Sequence, residues 1–343
     1  MNRSAPRAAG AAPAVAVLAV LAVLAVLAVL AVLTLAGCAG PTGPGPAGGP
    51  GSPPAGGPAA PSTEIARGVD IGGRQVYLEC HGSSAPGGPT VVLISGYHDA
   101  GDAWDVDELT APPAVGPPVP KALATRNRVC TYDRPGTLRY GVDGNPLTDR
   151  STPVPQPRTA ADVVAELHAV LRSGAVPGPY VLTAHSMGGL FALLYARTYP
   201  DEVRGIVFDD AFSPTVPAVF GAKWPLYRDY LNAAPAGTQL ATPSAEQVDE
   251  DASVAQVTAA PPLRPMPMVV LTKTEPFRTT LVPPAGLTSE ELNRLYESAE
   301  TALVRAQPGI PQVFATGSDH YIQWHEPDLV VAATELVLGR VRR

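Results

Sequence analysis

The stretch VLTAHSMGGLFALLYA, from Val181 to Ala196, constrains this chain more than any other. An apolar, β-branched run ends at Ser186, and a run with helical character starts directly after it. The spacing small-x-Ser-x-Gly, here Ala184, His185, Ser186, Met187 and Gly188, predicts a strand that reverses sharply into a helix and lifts the serine hydroxyl out of the turn. Such a turn excludes bulky neighbours, because backbones must approach closely and strained dihedrals must be tolerated.

Strand signals recur on both sides of it. RQVYLEC, TVVLISG, NRVCTYD, YVLTAHS, VRGIVFDD, MVVLTK and PQVFATG are short runs bounded by Gly, Pro, Asn or Asp. Helical segments, Ala160 to Arg172 and Gly189 to Thr198, alternate with them, so the fold class is α/β with a mostly parallel sheet. Thr288 and Glu291 have the spacing of a capping box at the start of TSEELNRLYESAETALVRA, where Leu292, Leu295, Tyr296, Ala299 and Leu303 share one face. Residues 211–265 break the rhythm with Pro, Ala and aromatics and read as an inserted cap.

The N-terminal end has a different composition. Arg3 and Arg7 precede an almost uncharged Ala-Val-Leu repeat from Ala8 to Ala36, long enough to span a bilayer, and the run ends in LAGC. Leu35, Ala36, Gly37 and Cys38 resemble the lipobox of bacterial lipoproteins. That resemblance implies a signal peptide over residues 1–37, a lipid anchor on Cys38 and a place on the extracytoplasmic face of the cell membrane. An uncleaved membrane helix and a cleaved, secreted form are the alternatives. Residues 38–63, rich in Gly, Pro, Ala and Ser, read as a tether with a reach of roughly 25–30 Å, leaving residues 64–343 as the folded unit.

Cys80 and Cys130 remain, and in an exported chain a pair without metal-ligand spacing reads as a disulfide, with no metal site. A net charge of −7 without a basic cluster in the folded part excludes nucleic acid as a partner.

Four motifs, in order, give the chain its resemblance to the α/β-hydrolase family from Arg74 to the C-terminus: LISGYHDAGDAW, YDRPG, AHSMGG and GSDHYIQ. The resemblance implies a serine hydrolase that needs no cofactor, with Ser186 as nucleophile and His320, in the loop after the last strand, as base. It leaves two candidates for the acid. Asp210 follows the strand GIVFDD and is preferred, and Glu275, after MVVLTK, is the alternative. Asp209 falls on the other strand face and Asp319 points away from the site, so neither is a candidate, and His325 reads as a solvent-facing or capping residue. The backbone amides of Tyr97 and Met187 are implied as the oxyanion hole.

The chain departs from the family's usual pattern at Ala184 and Ser95, where Gly and His are common, and at Leu138 and Tyr140 in a loop expected to border the pocket. With the Pro-rich stretch Ala111 to Pro120, that loop suggests a specialised entrance. In the resembled fold the strands carrying Cys80 and Cys130 are antiparallel neighbours, which brings the two cysteines together. The function read from these residues is hydrolysis of a small-molecule carboxylic ester through an acyl-enzyme. A lipase, thioesterase or peptidase shares every motif quoted, and a non-catalytic binding protein is the reading from another class. Nothing in the sequence specifies the oligomeric state.

Overall fold

The computed structural model describes residues 64–106, 116–140, 146–277 and 283–342. The leader, Cys38, the tether and most of the Pro-rich stretch before Pro120 lie outside the described residues.

Eight strands form one sheet: β1 (Ile65–Asp70), β2 (Gln75–His81), β3 (Thr90–Ile94), β4 (Arg128–Tyr132), β5 (Tyr180–His185), β6 (Val203–Asp209), β7 (Met268–Lys273) and β8 (Gln312–Ala315). Their order is β1-β2-β4-β3-β5-β6-β7-β8. β2 pairs antiparallel with both β1 and β4, and every later pairing is parallel. Composition accounts for the division. Side chains of β3, β5 and β7 are buried along their whole length, as expected for parallel strands covered on both faces, whereas β2 alternates buried with less buried residues. β1 escapes a sequence reading because half of IARGVD is exposed and its hairpin is closed by Asp70 Oδ1, which accepts from the amides of Gly72 and Gly73.

Among the described residues the helices are α1 (Val119–Ala124), α2 (Ala160–Ser173), α3 (Gly188–Thr198), α4 (Val216–Phe220), α5 (Trp224–Leu231), α6 (Glu250–Ala259), α7 (Ser289–Val304), α8 (Ile322–His325) and α9 (Pro327–Val341). Two apolar cores result, one on each sheet face. The larger joins Leu182, Phe191, Leu167 and Tyr296, and the smaller joins Val91, Val181, Leu123 and Val337. Val119 belongs to the smaller core, so the described end of the Pro-rich stretch builds helix α1 rather than an entrance.

Residues 211–265, read as a cap, serve two purposes. α5 stands over the carboxyl ends of the strands, with Tyr227 and Leu231 facing the cavity described below, and α4 packs against α7. α6 instead lies beside α2 and α3, where Ser253 Oγ accepts from the Ala160 amide and the Val257 carbonyl accepts from Arg197. Only half of the capping box at Thr288 forms. Its side chain accepts from the Glu291 amide at 3.2 Å, while the Glu291 carboxylate pairs with Lys223 instead of turning back.

Cys80 and Cys130 face each other across β2 and β4 and are joined by a disulfide, with both side chains buried.

Candidate active site

The strand order reverses between β3 and β5, and the carboxyl ends of strands at such a reversal leave a crevice. Register puts the candidate residues at one level there. Ile94 pairs with Ala184, and His185 pairs with Asp209, so the loop after β3, Ser186 and Asp210 emerge side by side.

Ser186 occupies the turn from β5 to α3 with φ of 52°, a left-handed conformation that costs a non-glycine residue on the order of 1–2 kcal/mol. The turn is held from both sides, since the Ser186 amide donates to the Asp209 carbonyl at 3.1 Å and the Ser186 carbonyl accepts from Phe212 at 2.7 Å. Gly188 explains the small residue after it. A Cβ at that position would lie 2.5 Å from the Ile94 carbonyl oxygen, closer than a side chain can come. Ala184, where Gly is the commoner family residue, is fully buried in β5.

His320 bridges the two other groups. The Ser186 hydroxyl donates to its Nε2 at 2.9 Å, and its Nδ1 donates to Asp210 Oδ2 at 2.5 Å. Asp210 leaves the strand with φ of 41°, which turns its carboxylate toward the histidine while neighbouring Asp209 stays on the opposite face. Glu275 is exposed, and its amide donates to the Ser318 carbonyl, so the alternative acid stands outside the cluster. Asp319 accepts from the Tyr321 amide at 3.0 Å and from His325 Nε2 at 3.1 Å. His325 is therefore engaged with that loop and largely buried, rather than facing solvent as its sequence position suggests.

Burial alone would push the Asp210 carboxyl up, but the Lys273 ammonium and the His320 hydrogen bond hold it below the usual carboxylate range. His185 behaves in the opposite way. Burial, reinforced by neighbouring His320, lowers it to about 3, so it stays neutral, and its Nε2 donates to the His320 carbonyl at 2.8 Å. This anchor for the histidine loop went unassigned in the sequence, where His185 marks only a position inside the elbow.

The loop after β3 is braced by Arg134 of YDRPG, whose guanidinium donates to the carbonyls of Ser95 (3.0 Å) and Gly96 (2.5 Å) and pairs with buried Glu246. Glu246 in turn accepts from the His98 amide at 2.8 Å. Ser95 Oγ closes the loop by donating to the Ala100 carbonyl. Among the described residues, the amides of Tyr97 and Met187 have no protein acceptor, and both residues line the cavity above Ser186. That cavity measures about 220 Å³, with Phe212, Tyr227, Phe277 and Leu292 on its apolar side. Tyr140 stands behind its wall rather than in it, donating to Asp99 Oδ1 at 2.6 Å.

A mostly parallel eight-stranded sheet flanked by helices, with its serine on a strained strand-to-helix turn, is an α/β-hydrolase fold. Residues 91–333 match the model of the Alpha/beta hydrolase family, and the chain belongs to that family. An uncharacterized protein of Schizosaccharomyces pombe is 32% identical over 154 residues, 40% of this chain and 26% of that one. RutD of Serratia proteamaculans, provisionally named a carbamate hydrolase, is 31% identical over 132 residues, 38% of this chain and 41% of that one. The chain thus spans less than half the length of these curated relatives. Among solved structures, haloalkane dehalogenase DatA from Agrobacterium tumefaciens C58 superposes with a TM-score of 0.52 at 17% identity, covering 80% of this chain and 96% of that one. A protein of Acinetobacter baumannii AYE provisionally called a lipase gives 0.50 at 16% identity, covering 81% and 92%. At these identities the likeness is one of fold.

Proposed function

We propose that the chain is a serine hydrolase that cleaves small carboxylic esters through an acyl-enzyme. The observation that carries this reading is the position of His320, within hydrogen-bond distance of Ser186 Oγ and Asp210 Oδ2 at once. Ser186 Oγ attacks the ester carbonyl while His320 Nε2 takes its proton, and Asp210 holds the imidazole in the tautomer that leaves Nε2 free to accept. Negative charge on the tetrahedral intermediate is met by the amides of Tyr97 and Met187. His320 then protonates the departing alcohol, and water, activated by the same imidazole, releases the acid and restores Ser186. No cofactor enters these steps. A cavity of about 220 Å³ lies below the range of roughly 300–1,000 Å³ common for drug-sized ligands, which favours a short acyl or small aryl group.

The test is labelling with a fluorophosphonate probe together with hydrolysis of p-nitrophenyl acetate. Both are expected in the wild-type protein and both are expected to vanish in Ser186→Ala. Retained hydrolysis in that variant removes Ser186 as the nucleophile and overturns the reading, and a wild type that neither labels nor hydrolyses overturns it in favour of a binding scaffold. A carbamate places nitrogen on the same carbonyl, so the similarity to RutD makes p-nitrophenyl carbamates the comparison substrates.

We further propose that the enzyme is held by a lipid on Cys38 at the extracytoplasmic face of the membrane, a reading supported by the basic and apolar leader ending in LAGC. Metabolic labelling with a fatty-acid analogue is expected in the wild type and lost in Cys38→Ala; label that persists in the variant rejects the anchor.

A further inference from the structure

Three carboxyls are buried around the carboxyl end of β6: Asp209, Asp210 and, from α7, Glu300. The Glu300 side chain accepts from the Ala211 amide at 3.0 Å, and neither oxygen of Asp209 has a partner among the described residues. Lys273, the last residue of β7, brings an ammonium to this group. Its Nζ lies 3.4 Å from Asp210 Oδ2, and its own amide donates to Asp210 Oδ1 at 3.2 Å. The side chain is 4% exposed and runs beneath the rings of Phe277 and Tyr296, with Nζ 4.1 and 4.6 Å from their centres.

We propose that Lys273 is a positioning residue that selects Asp210 as the charged member of the three carboxyls and sets it in line with His320. The proposal rests on the reading of Ser186, His320 and Asp210 as one catalytic chain.

Desolvating a lysine is costly, and an apolar side chain would fill the space between two aromatic rings without that cost. What an apolar side chain cannot do is choose among the carboxyls. Burial and the nearby Asp210 charge push Asp209 and Glu300 well above the usual carboxylate range, while Lys273 helps to hold Asp210 below it. The groups facing Asp210 are thus His320 from its loop, Lys273 from β7, His185 from β5, Tyr227 from α5, and Tyr296 and Glu300 from α7, with Asp209 beside it in the chain. The Tyr296 hydroxyl completes the enclosure by donating to the Asp210 carbonyl at 2.9 Å.

Without the cation, burial has less to oppose it and the Asp210 carboxyl moves up. A protonated Asp210 is a weaker acceptor for Nδ1 and can donate to it instead, so it no longer selects the productive tautomer. Loss of Lys273 therefore shifts the acidic limb of activity toward higher pH, because activity requires the ionised Asp210 carboxylate.

The experiment is the pH profile of kcat/KM for p-nitrophenyl acetate between pH 5 and 9, measured on the full chain and on Lys273→Met, Lys273→Arg and Glu300→Gln, with thermal melts to verify folding. Lys273→Met is expected to move the acidic limb up by about one pH unit, a tenfold greater loss at pH 6 than at pH 8.5, mostly in kcat. Lys273→Arg is expected to return the limb toward its wild-type position. Glu300→Gln, which removes no charge if Lys273 has selected Asp210, is expected to leave the limb in place.

A Lys273→Met profile that superimposes on the wild type after scaling overturns the proposal, and so does a Glu300→Gln limb displaced by about one unit. The second result remains decisive if Lys273→Met does not fold. Neither touches the fluorophosphonate result at Ser186, so failure of the Lys273 proposal and failure of the hydrolase reading are separately visible.

Discussion

His320 Nδ1 and Asp210 Oδ2 stand 2.5 Å apart although 110 residues separate them, while Glu275, closer to His320 in sequence, is exposed. Asp210→Asn is therefore expected to lower kcat by about three to four orders of magnitude, because the amide stabilises the wrong tautomer. Glu275→Gln is expected to change kcat by less than about threefold, as for a surface residue outside the site. Steady-state kinetics on the two variants check this, and the reverse ranking transfers the acid role to Glu275.

Gly96 carries no side chain because the loop after β3 passes directly over the elbow. A Cβ there would lie 2.8 Å from His185 Nδ1 and 3.0 Å from Ser186 Cβ. Gly96→Ala is expected to push the Tyr97 amide out of place and reduce kcat/KM by on the order of 100-fold, the penalty of a displacement near 1 Å. Fluorophosphonate labelling kinetics should slow in parallel. Wild-type rates in a folded Gly96→Ala protein would mean that this loop does not serve the oxyanion.

The disulfide between Cys80 and Cys130 spans 50 residues of sequence. In the chain-entropy view a loop of that size stabilises the fold by about 4 kcal/mol. Urea unfolding of the wild type with and without reductant is expected to differ by several kcal/mol, whereas the Cys80→Ala, Cys130→Ala double variant should be indifferent to reductant. Equal midpoints for reduced and oxidised wild type would remove the bridge from the account of stability.

Asp99 is buried in the loop after β3, and burial, only partly offset by the Tyr140 hydrogen bond, pushes its carboxyl up to about 7. As pH rises from about 4 the unfolded chain releases this proton first, so the native state binds more protons and stability falls, reaching its floor near pH 7. Asp99→Asn removes that dependence. Its stability relative to wild type is expected to rise between pH 4 and 7, by up to about 1.4 kcal/mol per pH unit, and then to stay level. Urea midpoints at four pH values provide the check, and parallel curves for the two proteins would show that Asp99 does not titrate in this window.

The sequence by itself determined the parts of this protein whose physics is local. Apolar runs such as TVVLI and MVVLTK specify buried strands through the character of adjacent residues, and the small residues around Ser186 specify a sharp turn through sterics within a few positions. The α/β-hydrolase fold, the elbow and the histidine after the last strand were legible for that reason. β1 was not, because half of its side chains are exposed, nor was the split of residues 211–265 between a cover over the site and a helix packed on α2 and α3. Only the tertiary structure decided which carboxyl meets His320. Asp210 and Glu275 both follow a strand, and their difference lies in the register of β6, β7 and β8 and in the left-handed backbone at Asp210. Lys273 is visible in the sequence as a charge closing an apolar strand, but its partner Asp210 is visible only once β6 and β7 are paired in register. Long-range register and burial are properties of the assembled chain, and they set both the geometry and the charge of the site.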